Sequence, residues 1–205
     1  MTPAAPAAPR AARAVPDVLV LPAVDAAREL IGWTLTVAGS GGEIVETEAY
    51  EQDDPASHSH RGPHGRAAPM FGPPGTVYVY RSYGVHWCMN LVCGPEGRGE
   101  AVLIRALAPR HGIPAMVSRR PAATGRDLCR GPGRLCAALG VDGSLNGRHL
   151  ADPGLPLALA PPEEDAPAPV AGPRIGISRA TDHPWRFGRA GSPHLSRPFP
   201  TGVAR

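Results

Sequence analysis

The chain has 205 residues and no lysine; its 21 Lys+Arg side chains are all arginines. That absence excludes chemistry through a lysine Schiff base and leaves only the N-terminal amine for such a role. Cysteine is scarce, with four residues at positions 88, 93, 129 and 136. Their C-x4-C and C-x6-C spacings match neither a zinc nor an iron–sulfur pattern. Nothing points to export, so disulfides are not expected, and the four read as small buried hydrophobes. No apolar run approaches the roughly 20 residues that span a bilayer, and no membrane partner is expected. The stretch Met1 to Val15 is rich in Ala and Pro, carries Arg10 and Arg13, and lacks the apolar core of a secretory signal. Residues 1–15 are expected to be a disordered tail ahead of one domain over 16–205, and the protein to be cytoplasmic, on the nucleoid when acting. Aromatic residues are few, at 5%, yet all four tyrosines lie between Glu46 and Gly84.

The net charge of +3 is uneven. Residues 1–100 hold 7 Arg against 11 Asp and Glu, a balance of −4; residues 101–205 hold 14 Arg against 7, a balance of +7. The basic second half is compatible with a polyanionic partner, and equally with a solvated arginine-rich surface.

Val24, Ala27, Leu30 and Ile31 share one face of a helix that Gly32 can stop. Leu35–Val37 and Glu43–Ala49 read as paired strands around a Gly39–Gly42 turn. Residues 51–75 form a long polar loop rich in Gly, Pro and His, and such loops in a compact domain are usually functional. Thr76–Tyr80 and Trp87–Val92 read as a hairpin turning at Tyr83-Gly84, and Ala101–Leu107 as a further strand. A short helix is expected from Gly131-Pro132 through Leu139 to Gly140. Residues 151–173, rich in Pro and Ala, read as a mobile surface insertion, and Arg174–Ser178 as a late strand. The expected class is a single mixed α+β (α/β) domain.

Alternation along a strand puts Glu46, Glu48 and Tyr50 on one face. One glutamate reads as catalytic or paired and the other as capping the sheet surface. His58, His60 and His64 are close in sequence, but no cysteine or spaced carboxylate completes a metal set. A stacking or hydrogen-bonding role for one of them is the stronger reading, and no metal is expected. Tyr78 and Tyr80 share a strand face, and core packing accounts for Tyr78. Tyr83, beside Gly84 at the turn, would be exposed and suited to insertion into a partner. Asn90 and Arg105 fall in apolar strands, where a buried polar group needs partners. Both are site candidates, with a structural salt bridge an open reading for Arg105.

Taken together, several ordered segments carry a resemblance. They are Ile44–Tyr50 (IVETEAY), Asp54–His58 (DPASH), Met70–Gly75 (MFGPPG), Tyr78–Gly84 (YVYRSYG), Cys88–Asn90 (CMN), Val102–Leu107 (VLIRAL), Gly125–Leu128 (GRDL), Gly131–Gly133 (GPG), Asn146-Gly147 and Arg174–Ile177 (RIGI). Over roughly residues 22 to 195 the chain resembles the alkyladenine (3-methyladenine) DNA glycosylase family. The resemblance implies a curved, mostly antiparallel sheet with flanking helices and a protruding hairpin. It implies a monofunctional base-excision repair enzyme that flips damaged purines from duplex DNA and hydrolyses the N-glycosidic bond, without metal or cofactor and as a monomer. Glu48 would be the general base, with Arg105 and the backbone carbonyl of Ile175 helping to hold the water. Tyr50, His58 and Tyr80 would line the base pocket, Asn90 would stand at its floor against the guanine amine, and Tyr83 would fill the gap in the duplex. The missing lysine agrees with an enzyme that leaves an abasic site uncut.

Two other readings use the same residues. A non-catalytic sensor of distorted DNA would use Tyr83 and the arginines but leave Glu48 without a task. A hydrolase of free nucleosides or nucleotides would use the pocket but leave Tyr83 and the basic half unexplained.

Overall fold

The strand that carries the two glutamates is the spine of the sheet. β2 (Ser40–Tyr50) is buried along nearly its whole length, because it is hydrogen-bonded on both edges. On one edge it pairs antiparallel with β5 (Ala101–His111). The other edge is shared. Its first part pairs with β1 (Thr34–Val37), and its Glu46–Glu48 part with β8 (Arg186–Gly188). Register shifts near Gly41/Gly42 and on either side of Glu46 mark bulges, which bend a strand and re-aim its side chains. Only glycine fits at the start of β2: a Cβ on Gly42 would stand 2.0 Å from the Ala108 carbonyl oxygen.

The computed structural model describes residues 13–164 and 168–200. Its sheet runs β3-β4-β5-β2-β1-β6, with β3 at Val77–Ser82, β4 at His86–Val92 and β6 at Leu157–Ala160. β7 (Val170–Gly172) and β8 attach beside β2. All pairings are antiparallel. The result is a mixed α+β domain with a curved sheet and a β3–β4 hairpin. Helices α1 (Val15–Leu19) and α2 (Ala23–Glu29) lie against it, as do α3 (Ile113–Arg119) and α4 (Pro132–Leu139).

The core lies between the sheet and these helices. Ala23, Ala26, Ala27 and Leu30 pack inward with Ile44, Ala49, Ile104 and Phe187. Small residues on α2 let it approach closely enough for the Thr47 hydroxyl to donate to the Ala27 carbonyl at 2.7 Å. Thr47 thus faces the helix, which sends its neighbours Glu46 and Glu48 to the opposite side. The four cysteines are free and buried.

Several expectations change. Arg174–Ser178 is not a strand but an irregular loop containing Gly176 at φ 80°. Its amides serve side chains rather than a ladder, as described below. The 151–173 stretch contributes β6, paired with β1, and β7, paired with β8. The tail expected over residues 1–15 ends sooner, because α1 begins at Val15 and Arg13 forms an ion pair with Glu29; residues 1–12 lie outside the described residues. The long loop 51–75 holds two 3-10 segments, His58–Arg61 and Gly65–Phe71. Among the described residues, no helix is long and apolar enough to cross a membrane.

Candidate active site

A cavity of about 460 Å³ opens where β2, β3, β4 and β5 meet the loops that carry His58 and Ile175. That size falls in the usual range for small-molecule sites. Tyr50, His58, Tyr80, Asn90, Arg105 and Ile175 all line it, with Tyr83 at its edge. Glu48 is fully buried immediately behind this wall.

Three donors hold Glu48. Oε2 accepts from the Tyr50 hydroxyl and from Arg105 Nη1, each at 2.9 Å, and Oε1 accepts from the Ile175 backbone N–H at 2.7 Å. Burial raises the Glu48 carboxyl above its ordinary value; Arg105, the Ile175 amide and the Tyr50 hydroxyl pull it back down. Burial likewise raises the Tyr50 phenol, and the neighbouring Glu48 charge adds to this, so the phenol keeps its proton and donates it.

Glu46 shares the face but not the role. It is fully buried, and its Oε1 accepts from Arg105 Nε at 3.0 Å, Arg186 Nε at 2.7 Å and Ser196 Oγ at 2.7 Å. The Ser196 amide donates to Oε2 at 2.5 Å. Arg105 is therefore a buried ion-pair member that also lines the cavity.

Ile175 reaches Glu48 because Arg174 anchors its loop. The Arg174 guanidinium is buried, pairs with Asp54, and donates to the Ala49 carbonyl at 3.0 Å. It also covers the Tyr50 ring at 4.7 Å and the Trp185 ring at 5.1 Å. With its side chain so fixed, the next amide points at Glu48. The Ile175 group in contact with Glu48 is thus its N–H.

The pocket wall opposite is aromatic. His58 meets Tyr80 edge-on, with centroids 4.5 Å apart, and Tyr80 stacks with Tyr78 at 5.4 Å. His58 Nδ1 and the Tyr78 hydroxyl share a hydrogen bond of 2.8 Å. Burial, and then the Arg66 charge, lower the His58 pKa, which keeps the ring neutral. Burial pushes the Tyr78 phenol up to about 12. Asn90, buried on β4, donates Nδ2 to the Tyr78 carbonyl at 3.0 Å. Tyr83 stands at the hairpin tip, 90% exposed, with φ of 51°. Among the described residues, no group of three or more His, Cys, Asp or Glu is arranged to hold a metal ion.

Sequence reasoning missed Tyr78, Arg174, Arg186 and Ser196. Tyr78 is core-packed as expected, yet its hydroxyl reaches the pocket; no strand periodicity reports that. Arg186 and Ser196 pair with Glu46 across separations of 140 and 150 residues. A second buried glutamate on one strand face was the available hint that counter-charges were needed.

A family model described as methylpurine-DNA glycosylase (MPG) matches residues 17–193. The chain belongs to this family. Its relatives include proteins named "Putative 3-methyladenine DNA glycosylase" from Nitrosospira multiformis and Rhodopseudomonas palustris. The first is 58% identical over 176 residues, covering 86% of this chain and 90% of the relative. The second is 56% identical over 180 residues, covering 86% and 84%. A relative of the same name from Granulibacter bethesdensis is 56% identical over 178 residues. As a methylpurine-DNA glycosylase, the protein is a hydrolase of N-glycosidic bonds in DNA.

Proposed function

We propose that this glycosylase rotates an alkylated or deaminated purine out of the duplex and seats it in the cavity. A water activated by Glu48 then hydrolyses the N-glycosidic bond. The observation that carries this reading is the state of Glu48. A carboxylate offers about four acceptor sites. Tyr50 and Arg105 occupy those on Oε2, and Ile175 occupies one on Oε1. By that count one acceptor site on Oε1 is left, and in this reading it takes a water that enters from the cavity lined by Arg105 and Ile175. A general base needs that reach to the proton it takes.

The other residues divide the remaining work. Extruding a base costs a few kcal/mol. Tyr83, exposed at the tip of the β3–β4 hairpin, replaces the lost stacking in the duplex. Tyr50, His58 and Tyr80 receive the base; their aromatic faces attract cationic methylpurines. Asn90, held on the pocket floor by its bond to Tyr78, opposes the exocyclic amine of guanine. Departure of the base leaves an oxocarbenium-like sugar, and the Glu48 charge stabilises it while orienting the water. A cationic leaving group needs little acid catalysis, which fits one ionised glutamate and a neutral His58. With no lysine in the chain, the product is an intact strand bearing an abasic site.

The test is release of base from a duplex oligonucleotide with a single hypoxanthine or methylated purine, comparing wild type with Glu48→Gln. Wild type should release base, and the variant should lose at least about 100-fold while still binding the duplex. Equal rates would remove Glu48 from the mechanism. Binding without release by either protein, on any lesion, would favour a damage sensor.

A further inference from the structure

The function proposed above does not use a second cavity that adjoins the base pocket. It measures about 430 Å³, and Ser57, His58 and Arg66 belong to the walls of both. Its lining includes Arg61, Arg66 and Arg179 together with His58, His60 and His64, and no acidic residue. The 3-10 segments His58–Arg61 and Gly65–Phe71 supply four of these side chains, His64 stands just before the second segment, and the loop after Ile175 brings Arg179 to them.

The charge there is uncompensated. Among the described residues, no ion pair or hydrogen bond ties up the guanidinium of Arg61, Arg66 or Arg179. Two acids that precede the loop are already engaged: Asp53 pairs with Arg98, and Asp54 with Arg174. Arg61 and Arg66 come from the half of the chain whose formal balance is −4, and Arg179 joins them from the basic half. Three guanidiniums facing one cavity repel one another, and an anion seated among them relieves that repulsion. Arginine is suited to this because its planar fork binds a phosphate through two parallel hydrogen bonds. The loop has a firm base: Ser59 Oγ donates to the Gly99 carbonyl at 2.6 Å, and Ser57 caps the first 3-10 turn.

We propose that this cavity is a phosphate site, and that it holds one backbone phosphodiester of the substrate strand close to the extruded nucleotide. The assignment rests on the base-flipping reading, because the shared wall at His58 makes a base in one cavity and a phosphate in the other neighbours on one strand. Holding that phosphate fixes the strand after the nucleotide has rotated. The site would stabilise the extruded state, with no contact to the bond that breaks.

Arg61→Gln/Arg179→Gln is the variant to compare with wild type, since both residues are exposed and lie outside the base pocket. Affinity for a lesion duplex is measured against salt, then against duplexes carrying one neutral methylphosphonate at successive linkages around the lesion. If the site holds one phosphate, the slope of log affinity against log salt should fall by about 1 in the variant. One linkage should exist where the methylphosphonate weakens wild type several-fold and leaves the variant indifferent. Arg61→Lys/Arg179→Lys should restore much of the salt slope. An unchanged slope, or methylphosphonate effects that run in parallel for both proteins, would overturn the site. Competition by inorganic phosphate that depends on these arginines, with no sensitive linkage, would make it a free-anion site and overturn the strand assignment. Base release by wild type is scored separately. Release with an unchanged salt slope discards the phosphate site alone, whereas absence of release discards the base-flipping reading on which it rests.

Discussion

Arg105 joins the two glutamates of β2: its Nη1 donates to Glu48 at 2.9 Å while its Nε donates to Glu46 at 3.0 Å. Arg105 is itself almost fully buried, so neither contact is screened by water. Glu46 thereby sets the position of the cation that sets the position of Glu48. Glu46→Gln removes a counter-charge shared by Arg105 and Arg186. Leaving buried charge unpaired costs about 3–5 kcal/mol. Urea denaturation should show that loss, and base release should fall even under conditions where the variant is folded. An unchanged midpoint would mean that Ser196 and solvent suffice for the arginines.

In the proposed mechanism the reactive form of Glu48 is the carboxylate. Because burial raises its pKa, base release should fall as pH drops, and at a higher pH than for an ordinary glutamate. Tyr50→Phe deletes a hydrogen bond that favours the ionised form. The acid limb of the kcat/KM profile should therefore move to higher pH in that variant. A limb that stays in place would show that the Tyr50 hydroxyl does not influence Glu48 ionisation.

Tyr78→Phe tests a residue that periodicity assigned to the core. The variant keeps the packing and loses the bond to His58 Nδ1. A lost neutral hydrogen bond costs about 1 kcal/mol, which for a chain of this size lowers Tm by about 2–4 °C. His58 should lose its fixed orientation, raising KM for the lesion duplex with a smaller effect on kcat. A collapse of kcat comparable to that of Glu48→Gln would give the Tyr78 hydroxyl a part in the chemistry.

Tyr83 holds a left-handed backbone conformation at φ 51° with its ring 90% exposed. A bulky residue there is strained by about 1 kcal/mol relative to glycine. Tyr83→Gly should therefore raise thermal stability slightly. It should also slow release from duplex DNA while sparing a lesion in single-stranded DNA. Equal slowing on both substrates would argue against a role in filling the duplex gap.

Much of the site was legible from local pattern. The alternation that put Glu46, Glu48 and Tyr50 on one face needs only an extended backbone, and Thr47 bonded to Ala27 on the opposite side verifies it. The hairpin with Tyr83 at its tip followed from two β-rich runs flanking Tyr83-Gly84. The loop at Arg174–Ser178 was misread as a strand because its apolar residues alternate, while what organises it is a buried ion pair to Asp54, 120 residues away. The strands within 151–173 were hidden by their Pro/Ala-rich surroundings; β6 is defined by pairing with β1 rather than by its own composition.

The sequence by itself determined the family, the set of chemical groups and the strand face that gathers them, since these depend on residue identity and short-range geometry. Only the tertiary structure decided which partners each glutamate meets. Glu46 and Glu48 have the same side chain on the same face of the same strand. One accepts four hydrogen bonds from Arg105, Arg186 and Ser196, and the other accepts three from Tyr50, Arg105 and Ile175, all of which line the cavity. That difference arises from burial and from partners brought in by distant segments, and electrostatic partnership of this kind has no period along the chain.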